Sequence, residues 1–474
     1  MTELNIPRRA GPILHFRGHS DAGLSLHVIV VRPADEDAPA SLSVSGDETT
    51  PELLTEVQGA RFWRYGVTLT AADTGYAFEG QHYDVVTALD GDLRVGFVSC
   101  NGEEHGDLHR NMADRNAMWL RLWEAHRTSP LALLIQGGDQ IYADEVTDGH
   151  PLTDDWPKGL KKAPTTEELA DLYGYLERRF VDRYLRLLAS DQMAPLLARV
   201  PTLAIWDDHD ICDGWGSLPE KVTDSAIGQT LFAVARQMYL LFQQGMVEAD
   251  IPTLFPDPTG ASLGWRHRLP GLTLLAPDLR SQRQRHQVMG PEGWSMVEST
   301  MPEKGDQTFL ISSVPLLGPR LSIVEGLMML MPRFQKYEDD LRDQWQSRAH
   351  RKAWQRMLRE VLRMRAAGPV TAISGEIHLA TRAEMTCGEG VMHQLVASGI
   401  SHPAPTKNYA RGLGLLAGLG EAPLKGHPIR ILPLPGQNTR YIAERNFLVL
   451  ERQGGTWEAR WHLEESGVTP ALVL

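Results

Sequence analysis

Four hydrophobic runs in this chain end in side chains that can bind a metal ion or transfer a proton, and they constrain the fold more than any other feature. The runs comprise residues 95–100, 133–142, 203–210 and 370–378. In each run, apolar residues of strand character lead directly into Cys, Asp, Tyr, His or Glu. Loops at strand ends hold functional groups on a rigid sheet. The sequence therefore predicts an α/β fold in which four strand ends contribute to one site.

Composition is typical of a globular protein with a sizeable core: the chain has 474 residues, 42% hydrophobic and 23% charged. The net charge of −13 argues against general nucleic-acid binding and against adhesion to an anionic membrane surface. Three cysteines, Cys100, Cys212 and Cys387, form no paired framework, which favours a reducing compartment. The pair Arg8-Arg9 is not followed by the apolar segment of an export signal, and no apolar stretch is long enough to span a bilayer. We expect a cytoplasmic protein.

The pattern of strands and helices predicts two domains. Residues 1–90 contain β-rich segments separated by Pro, Gly, Asp and Ser, which predicts a small β-sandwich without chemistry of its own. Residues 91–474 alternate strands with amphipathic helices, as in a layered α/β domain. The predicted helices cover residues 114–127, 167–189, 225–244 and 335–367. A hairpin is predicted around Gly454-Gly455, and residues 316–333 resemble an insertion that could cover a cleft.

The second run places a carboxylate and a phenol close together. Asp139 follows two glycines, which allow a sharp turn and leave the carboxylate able to bridge two cations. Tyr142 lies three residues further on, and a phenolate favours a hard metal such as ferric iron. The thiolate of Cys100, from the first run, suits a transition metal better than magnesium. The alternative is a strand-to-helix turn with a capping Asp and a core Tyr.

The third run ends in the acidic cluster Asp207-Asp208-His209-Asp210. Three carboxylates around one histidine repel one another unless a cation or hydrogen bonds compensate. A solvated acidic loop is the alternative, but the preceding Trp206 makes it less fitting. We interpret the cluster as a metal or catalytic element.

The fourth run ends in Glu376 and His378, whose only alternative interpretation is a surface pair. A further apolar strand ends at Asp278, and Arg280 beside it could bind phosphate oxygens in a bidentate manner. An ion pair between Asp278 and a neighbouring arginine fits that segment equally well. Three more histidines near the motifs are interpreted as hydrogen-bonded structural residues, namely His109, His393 and His402.

Taken together, the order of these motifs resembles that of the PhoD-like alkaline phosphatases, a branch of the calcineurin-like metallophosphoesterases. The matching segments, in chain order, are Ser99-Cys100, Gly138-Asp139-Gln140-Ile141-Tyr142, Trp206-Asp207-Asp208-His209-Asp210, Asp278-Leu279-Arg280-Ser281-Gln282-Arg283 and Gly375-Glu376-Ile377-His378. The resemblance runs from about Val95 to the C-terminal strands, and the N-terminal β-rich part also fits the layout of the family.

The resemblance implies a four-layer α/β/β/α sandwich with an N-terminal β-sandwich domain and a multinuclear metal centre. The implied metal ligands are Cys100, Asp139, Tyr142, Asp208, Glu376 and His378. Asp139 would bridge Fe(III) and a second divalent metal (Ca, Mn, Zn or Mg). His209 would assist phosphate binding or protonate the leaving group, and Arg280 would contact phosphate. Glu376 stands where the family has Asp, and the added methylene could move the second metal.

The resemblance further implies a phosphoric ester hydrolase that acts on a small phosphorylated substrate by in-line attack of a metal-activated hydroxide. Monoesters, diesters and triesters can all react at such a centre, so a phosphodiesterase or nucleotide hydrolase is an alternative within enzymes. A catalytically weak, metal-bearing scaffold or phospho-ligand-binding protein is the alternative outside enzymes. The sequence makes no prediction of the oligomeric state.

Overall fold

Three β-sheets and ten α-helices make up the described part of this computed structural model, which covers residues 6, 8–159, 163–319, 344–418 and 420–474. The helices are α1 (Met112–Arg115), α2 (Ala117–Thr128), α3 (Thr166–Leu188), α4 (Ala194–Leu197), α5 (Glu220–Thr223), α6 (Ala226–Met238), α7 (Ile251–Leu254), α8 (Pro291–Ser299), α9 (Arg351–Met364) and α10 (Lys407–Ala417). Short 3-10 turns lie at Asp107–His109, Asp144–Thr147, Asp208–Asp210, Glu248–Asp250 and Arg348–His350, and a π-helical turn lies at Tyr239–Gln243.

The large sheet has 11 strands. They are β1 (Ala10–Ser20), β2 (Gly23–Pro33), β5 (Glu52–Val57), β6 (Ala60–Leu69), β9 (Leu93–Val98), β10 (Leu133–Gly137), β11 (Thr202–Ile205), β21 (Asn446–Gln453), β22 (Thr456–Leu463), β23 (Gly467–Val468) and β24 (Leu472–Val473). Their order is β23-β22-β21-β9-β10-β11-β1-β2-β6-β5, and β24 pairs with β22.

The second sheet has nine strands and the third has four. The second comprises β12 (Trp265–Leu269), β13 (Leu272–Ala276), β14 (Gln307–Ile311), β15 (Val370–Ser374), β16 (Ala380–Cys387), β17 (Gly390–Val396), β18 (Glu421–Leu424), β19 (His427–Leu432) and β20 (Tyr441–Ile442). The third comprises β3 (Leu42–Val44), β4 (Asp47–Thr49), β7 (Gly75–Phe78) and β8 (Gln81–Asp84).

The four predicted strand ends come from two sheets. Strands β9, β10 and β11 are parallel neighbours in the large sheet, whereas β15 is parallel to β14 and β17 in the second sheet. Every residue of β10, β11 and β15 is buried, as their continuous apolar sequences require. Because parallel strands end at the same edge, residues 99–100, 138–142 and 207–210 lie side by side.

The two sheets approach each other closely where β9 and β15 end. Ser99 donates a hydrogen bond from its hydroxyl to the Ala397 carbonyl (3.0 Å), and its own carbonyl accepts one from the Ile400 backbone N–H (3.0 Å). A Cβ atom on Gly375 would lie 2.0 Å from the Ser99 Oγ atom, so only glycine fits at this crossing. The fourth strand end therefore meets the other three across a junction between sheets.

The mixed α/β fold with several sheets is confirmed, and most predicted elements of residues 91–474 are present within a few residues. The hairpin is present, and both Gly454 and Gly455 have positive φ (55° and 86°). Of the long helix predicted at 335–367, α9 covers Arg351–Met364, and residues 344–350 form turns instead. Residues 335–343 of that predicted helix and residues 320–333 of the predicted insertion lie outside the described residues.

The predicted N-terminal β-sandwich domain stays a prediction. Residues 1–90 are β-rich, and their strands belong to two sheets: β1, β2, β5 and β6 continue the large sheet, whereas β3, β4, β7 and β8 form the four-stranded sheet. The connection is the parallel pair β1–β11, where the buried His15 stands opposite Thr202. The alternation of β-rich segments could not reveal this pairing, because the partner strand lies almost 190 residues away. The boundary between domains at residues 90 and 91 stays a prediction, as does the four-layer order.

Within the described ranges, no helix combines the length and the apolarity that crossing a membrane would require. The cytoplasmic location stays a prediction.

Two histidines in the sheets predict an acid-sensitive fold. Burial, followed by the positive charge of Arg17, lowers the pKa of His27 in β2 and of His267 in β12 to about 3. In the unfolded chain a histidine has a pKa near 6.5, so the unfolded chain takes up protons that the folded chain does not. The stabilising contribution is complete above pH 6.5 and decreases as pH falls towards 3. We expect the free energy of unfolding to decrease by about 2 to 4 kcal/mol between pH 7.5 and pH 5 from these two groups.

Urea denaturation at the two pH values measures this dependence. Replacement of His267 by Phe keeps a ring against Phe16, with which His267 makes an edge-on contact at 5.0 Å between ring centroids, and removes one titrating group. The variant should therefore lose part of the pH dependence, whereas His286→Gln, at an exposed position, should keep it. An unchanged pH dependence in His267→Phe would contradict the assignment.

Candidate metal centre

Two groups of side chains at the junction of the sheets have the spacing of metal ligands. Cys100, Asp139 and His378 each offer one ligand atom, and these atoms lie within 4.8 Å of one another. The same holds for Asp139, Asp208 and His209. Asp139 belongs to both groups, which is the position of a carboxylate that bridges two cations. Of the predicted metal ligands, these two groups bring together four.

The side chain of Asp139 is buried, and one of its carboxylate oxygens has no hydrogen-bond partner among the described residues. Its side chain is 1% exposed, its Oδ2 atom lies 3.4 Å from the Cys100 Sγ atom, and its Oδ1 atom has no hydrogen-bond partner among the described residues. A buried carboxylate oxygen without a partner is costly, because it has lost its hydration without replacement. A cation between the two groups would remove that cost. The residues present therefore fit a metal ion.

The backbone at the site is held in a conformation that side chains rarely adopt. Seven non-glycine residues in the described parts of the chain have positive φ, and four of them are Cys100 (55°), Asp139 (55°), Glu376 (68°) and His378 (53°). Such conformations persist only where the surroundings enforce them, and they cluster at functional sites. The left-handed turns re-aim the side chains at the ends of β9, β10 and β15 towards one another.

Tyr142 lies among these groups, as predicted. Its hydroxyl is 2.9 Å from the Nε2 atom of His378, and its ring stacks on His209 with 4.2 Å between centroids. The ring is fully buried, as the alternative of a core Tyr also expects, but its hydroxyl faces a candidate ligand. A phenol oxygen and an imidazole nitrogen at this distance can serve the same cation.

The acidic cluster divides into a pair that faces Asp139 and a structural pair. Asp208 and His209 face Asp139. His209 is held through its Nδ1 atom, which lies 3.0 Å from each carboxylate oxygen of Asp144. Asp210 instead faces the backbone. The solvated acidic loop is therefore not what the structure contains, because all four residues of the cluster are buried.

Asp210 fixes the turns on which the candidate ligands stand. Its carboxylate accepts hydrogen bonds from the backbone N–H groups of Asp207 (2.9 Å), Asp139 (2.9 Å), Gln140 (3.0 Å) and Ile141 (3.2 Å). It also accepts one from the side chain of Gln243, at 2.8 Å. One buried side chain thus ties the end of β10 to the end of β11.

The structure places Arg280 beside the carboxylates of the acidic cluster. Its guanidinium is fully buried, donates to Asp207, and lies 3.4 Å from the Asp208 Oδ1 atom. The alternative, an ion pair between Asp278 and a neighbouring arginine, is not found among the described residues, because the carboxylate of Asp278 accepts hydrogen bonds from backbone N–H groups and from Trp206. Contact between Arg280 and phosphate stays a prediction. The observed contacts neutralise and orient the carboxylates beneath the site.

Glu376 is the predicted ligand that the structure does not bring into either group of the described residues. Its Oε2 atom accepts a hydrogen bond from the Gln344 side chain at 2.7 Å. His378 belongs to the group of Cys100 and Asp139, whereas Glu376 belongs to neither group. The sequence motif could not decide which of the two does.

Electrostatics of the site favour a bound cation. Burial raises the pKa values of the Cys100 thiol, the Asp139 carboxyl and the Tyr142 phenol well above their ordinary ranges, and neighbouring negative groups add to the shift. For His209, burial works to lower the pKa, but Asp144 and Asp208 outweigh it and raise the pKa well above 6.5. A metal ion would reverse these shifts for the anionic ligands.

Several residues at the site were not predicted to act there. Asp144 orients His209, and the Ser398 hydroxyl lies 3.1 Å from Cys100 Sγ and accepts a hydrogen bond from the His378 backbone (2.8 Å). His402, interpreted as structural, stacks on His378. Glu104 pairs with His402, and this pairing lowers the pKa of Glu104 although burial opposes it. For Asp144, its short distance along the sequence from Asp139 was a signal that it could belong to the site. Ser398, His402 and Glu104 lie in segments without a recognisable motif, so the sequence held no such signal for them.

Two solved structures of phosphatases resemble this fold. The structure of PhoD has a TM-score of 0.58 at 12% identity and covers 100% of this chain and 90% of its own. The purple acid phosphatase PPD1 from yellow lupin (Lupinus luteus) has a TM-score of 0.53 at 10% identity and covers 98% of this chain and 74% of its own. At these identities the similarity shows the fold.

Sequence comparison identifies the family. The family model described as PhoD related phosphatase matches residues 56–339, which is more than half of the chain. The chain belongs to this family of PhoD-related phosphatases. It is also 24% identical over 396 residues to the uncharacterized protein YGR266W of Saccharomyces cerevisiae; the match covers 68% of this chain but only 56% of that protein.

Proposed function

We propose that this chain is a metal-dependent phosphoric ester hydrolase. The observation that carries the proposal is the position of Asp139, which is shared by two groups of candidate ligands and has a buried oxygen without a partner among the described residues. Membership of the PhoD-related phosphatases supports the same activity. The net charge of −13 would repel a phosphorylated substrate, so cations at the site are needed to attract it.

The residues suggest two metal positions of different character. Cys100, Tyr142 and His378 would hold the first together with Asp139, and a phenol with a thiol suits iron. Asp139 and Asp208 would hold the second, whose oxygen ligands suit a divalent ion such as Ca, Mn, Zn or Mg. Bound metal ions would supply an acidified water and would balance charge on the phosphoryl oxygens.

The protein would orient the reactants and handle the proton. Asp144 engages His209 at Nδ1, which leaves Nε2 as the nitrogen that can donate a proton to the departing oxygen. Stacking on Tyr142 keeps the His209 ring in one plane. Arg280 would act from below, by holding Asp207 and Asp208 in place.

Two measurements on the purified chain test the proposal. Hydrolysis of 4-nitrophenyl phosphate and of bis(4-nitrophenyl) phosphate, with and without added metals, reports the reaction and separates monoesterase from diesterase activity. Elemental analysis with a visible spectrum identifies the metals, and a tyrosinate-to-iron charge-transfer band would place iron at Tyr142. Bound metal without turnover on either ester would favour the scaffold or phospho-ligand-binding alternative, for which the position of Glu376 outside both groups is the relevant observation.

Replacement of Asp144 by Asn should lower kcat about 10- to 100-fold with little change in KM, as expected for loss of a residue that orients a functional histidine. Both oxygens of the carboxylate can accept a hydrogen bond from the Nδ1–H group of His209, whereas the amide of Asn has one acceptor and one donor. His209 would therefore lose its fixed tautomer. Steady-state kinetics on 4-nitrophenyl phosphate give both constants. Asp148→Asn, in the same loop but exposed, is the matched control. Equal kcat values for the two variants would remove Asp144 from the mechanism.

A further inference from the structure

Four aromatic rings form a continuous series at the candidate metal centre. His209 stacks on Tyr142 with 4.2 Å between centroids, Tyr142 lies 5.4 Å from His402 at a tilt of 37°, and His402 stacks on His378 at 3.4 Å with 18° between the planes. Three of the rings belong to the proposed site. His402 is the fourth, and its ring contacts both Tyr142 and His378.

Contacts on every side hold His402 in this position. The Pro403 carbonyl lies 2.7 Å from its Nδ1 atom, both carboxylate oxygens of Glu104 lie 3.4 Å from its Nε2 atom, and its backbone N–H donates to the Cys100 carbonyl at 3.1 Å. Both ring nitrogens therefore face protein groups, and the side chain is only 12% exposed. The face of the ring, and not a nitrogen, is what His402 presents to His378.

The orientation of His378 needs such support. His378 has a left-handed backbone (φ 53°), and its Nε2 atom lies 2.9 Å from the Tyr142 hydroxyl. A flat partner at 3.4 Å restricts rotation of the imidazole about its χ2 angle, because any large rotation would drive the ring into His402. The Ser398 hydroxyl accepts a hydrogen bond from the backbone N–H group of His378, which fixes the His378 backbone but does not restrict its ring.

We propose that His402, held by Glu104, is a positioning residue for the metal centre: its ring stacks on His378 and keeps the His378 imidazole directed at the ligand group of Cys100 and Asp139. The proposal rests on the proposed function, because it assumes that this group binds a metal. Groups that orient metal ligands typically contribute 10- to 100-fold to metal affinity.

Titration of the metal-stripped full-length chain with Co²⁺ tests the proposal without an activity assay. Co²⁺ bound next to Cys100 gives a thiolate charge-transfer band, which Cys100→Ser should abolish. We expect His402→Ala to weaken binding, read from this band, by about 10-fold or more. His402→Phe keeps a flat ring and should stay within about threefold of the unmodified chain, whereas His402→Asn keeps polar atoms without the ring and should behave like His402→Ala.

Further variants separate positioning from loss of structure. Glu104 is 39% exposed, so Glu104→Ala should fold normally and still weaken Co²⁺ binding, by about threefold to 10-fold. His393→Ala removes a buried histidine of the second sheet that lies away from the series of rings, and it should bind as the unmodified chain does. Thermal unfolding of each metal-free variant reports whether it is folded.

The outcomes distinguish the two proposals. Absence of the Co²⁺ band in the unmodified chain would overturn the proposed metal centre. If the unmodified chain shows the band, and His402→Ala and Glu104→Ala bind Co²⁺ as tightly as the unmodified chain does, the positioning role alone would be overturned. Equal weakening in His402→Phe and His402→Ala would also overturn it, because stacking would then not be the cause.

Discussion

Replacement of Asp139 by Asn should reduce hydrolysis of 4-nitrophenyl phosphate by about a thousandfold or more, while the chain stays folded. The amide keeps the shape of the side chain but removes the charge shared by both ligand groups, and loss of a metal-centred stabilisation of several kcal/mol corresponds to this factor. Asn is also one of the few residues that tolerate the positive φ (55°) at this position. The buried Oδ1 atom, which lacks a partner among the described residues, loses its uncompensated charge, so the variant should be at least as stable as the unmodified chain without metal.

Three measurements check this result: kcat/KM on the ester, metal content, and the urea midpoint of the metal-free protein. Asp257→Asn provides the comparison, because Asp257 caps a surface turn through Thr259 and Ser262 far from the ligand groups. Near-normal turnover by Asp139→Asn would contradict the proposed centre, whatever its metal content.

The strand ends were predictable because each depends only on a short stretch of sequence. An apolar run followed by a carboxylate, a thiol or an imidazole indicates both the strand and the edge at which the side chain lies, as Cys100 and Asp139 illustrate. The motifs could also be assigned to one site because parallel strands end together. The rule about parallel strands does not cover His378, because His378 follows a strand of the second sheet. It nevertheless lies beside Cys100 and Asp139, which follow strands of the large sheet.

The roles of individual residues within a motif were less predictable. In the acidic cluster, Asp208 faces Asp139 whereas Asp210 binds backbone N–H groups, and the sequence presents the two as equivalent. Arg280 is fixed by Asp207 from another motif, a contact across more than seventy residues. His402 joins the ring series from a loop after β17 without any motif. Such roles depend on which groups meet in space, and a single sequence carries little information about that.

The structure also changes the meaning of the junction between sheets. Gly375 and Ser99 approach so closely that no side chain fits between them, and the left-handed residues Cys100 and His378 follow on either side. The ligand group is thus formed by two rigid edges and not by one flexible loop. A change in how the two sheets pack would alter the spacing of the ligands, which makes the stability of this junction a condition for metal binding.

Replacement of Asp210 by Asn should differ from Asp139→Asn in its effect on stability, because it removes hydrogen bonds that hold the fold together. The Oδ1 atom of Asp210 accepts from Gln140, Ile141 and Gln243, and its Oδ2 atom accepts from Asp139 and Asp207. The amide nitrogen of Asn cannot accept, so at least two buried N–H groups would face a donor. We expect a loss of about 3 to 5 kcal/mol in the free energy of unfolding, measured by urea denaturation, for the break-up of a buried charged network.

Activity should also fall in Asp210→Asn, but by a different route. The turn that carries Asp139 would lose its anchor, so the metal affinity should decrease together with the stability, whereas Asp139→Asn loses metal without losing stability. Excess metal ion should therefore restore part of the activity of Asp210→Asn and none of that of Asp139→Asn, since binding to the folded state shifts the folding equilibrium. Gln243→Leu removes only one of the five donors and should give a smaller loss of stability, of about 1 to 2 kcal/mol. Unchanged stability in Asp210→Asn together with loss of all activity would make Asp210 a direct participant in the reaction. The division of the acidic cluster into residues that face Asp139 and structural residues would then be wrong.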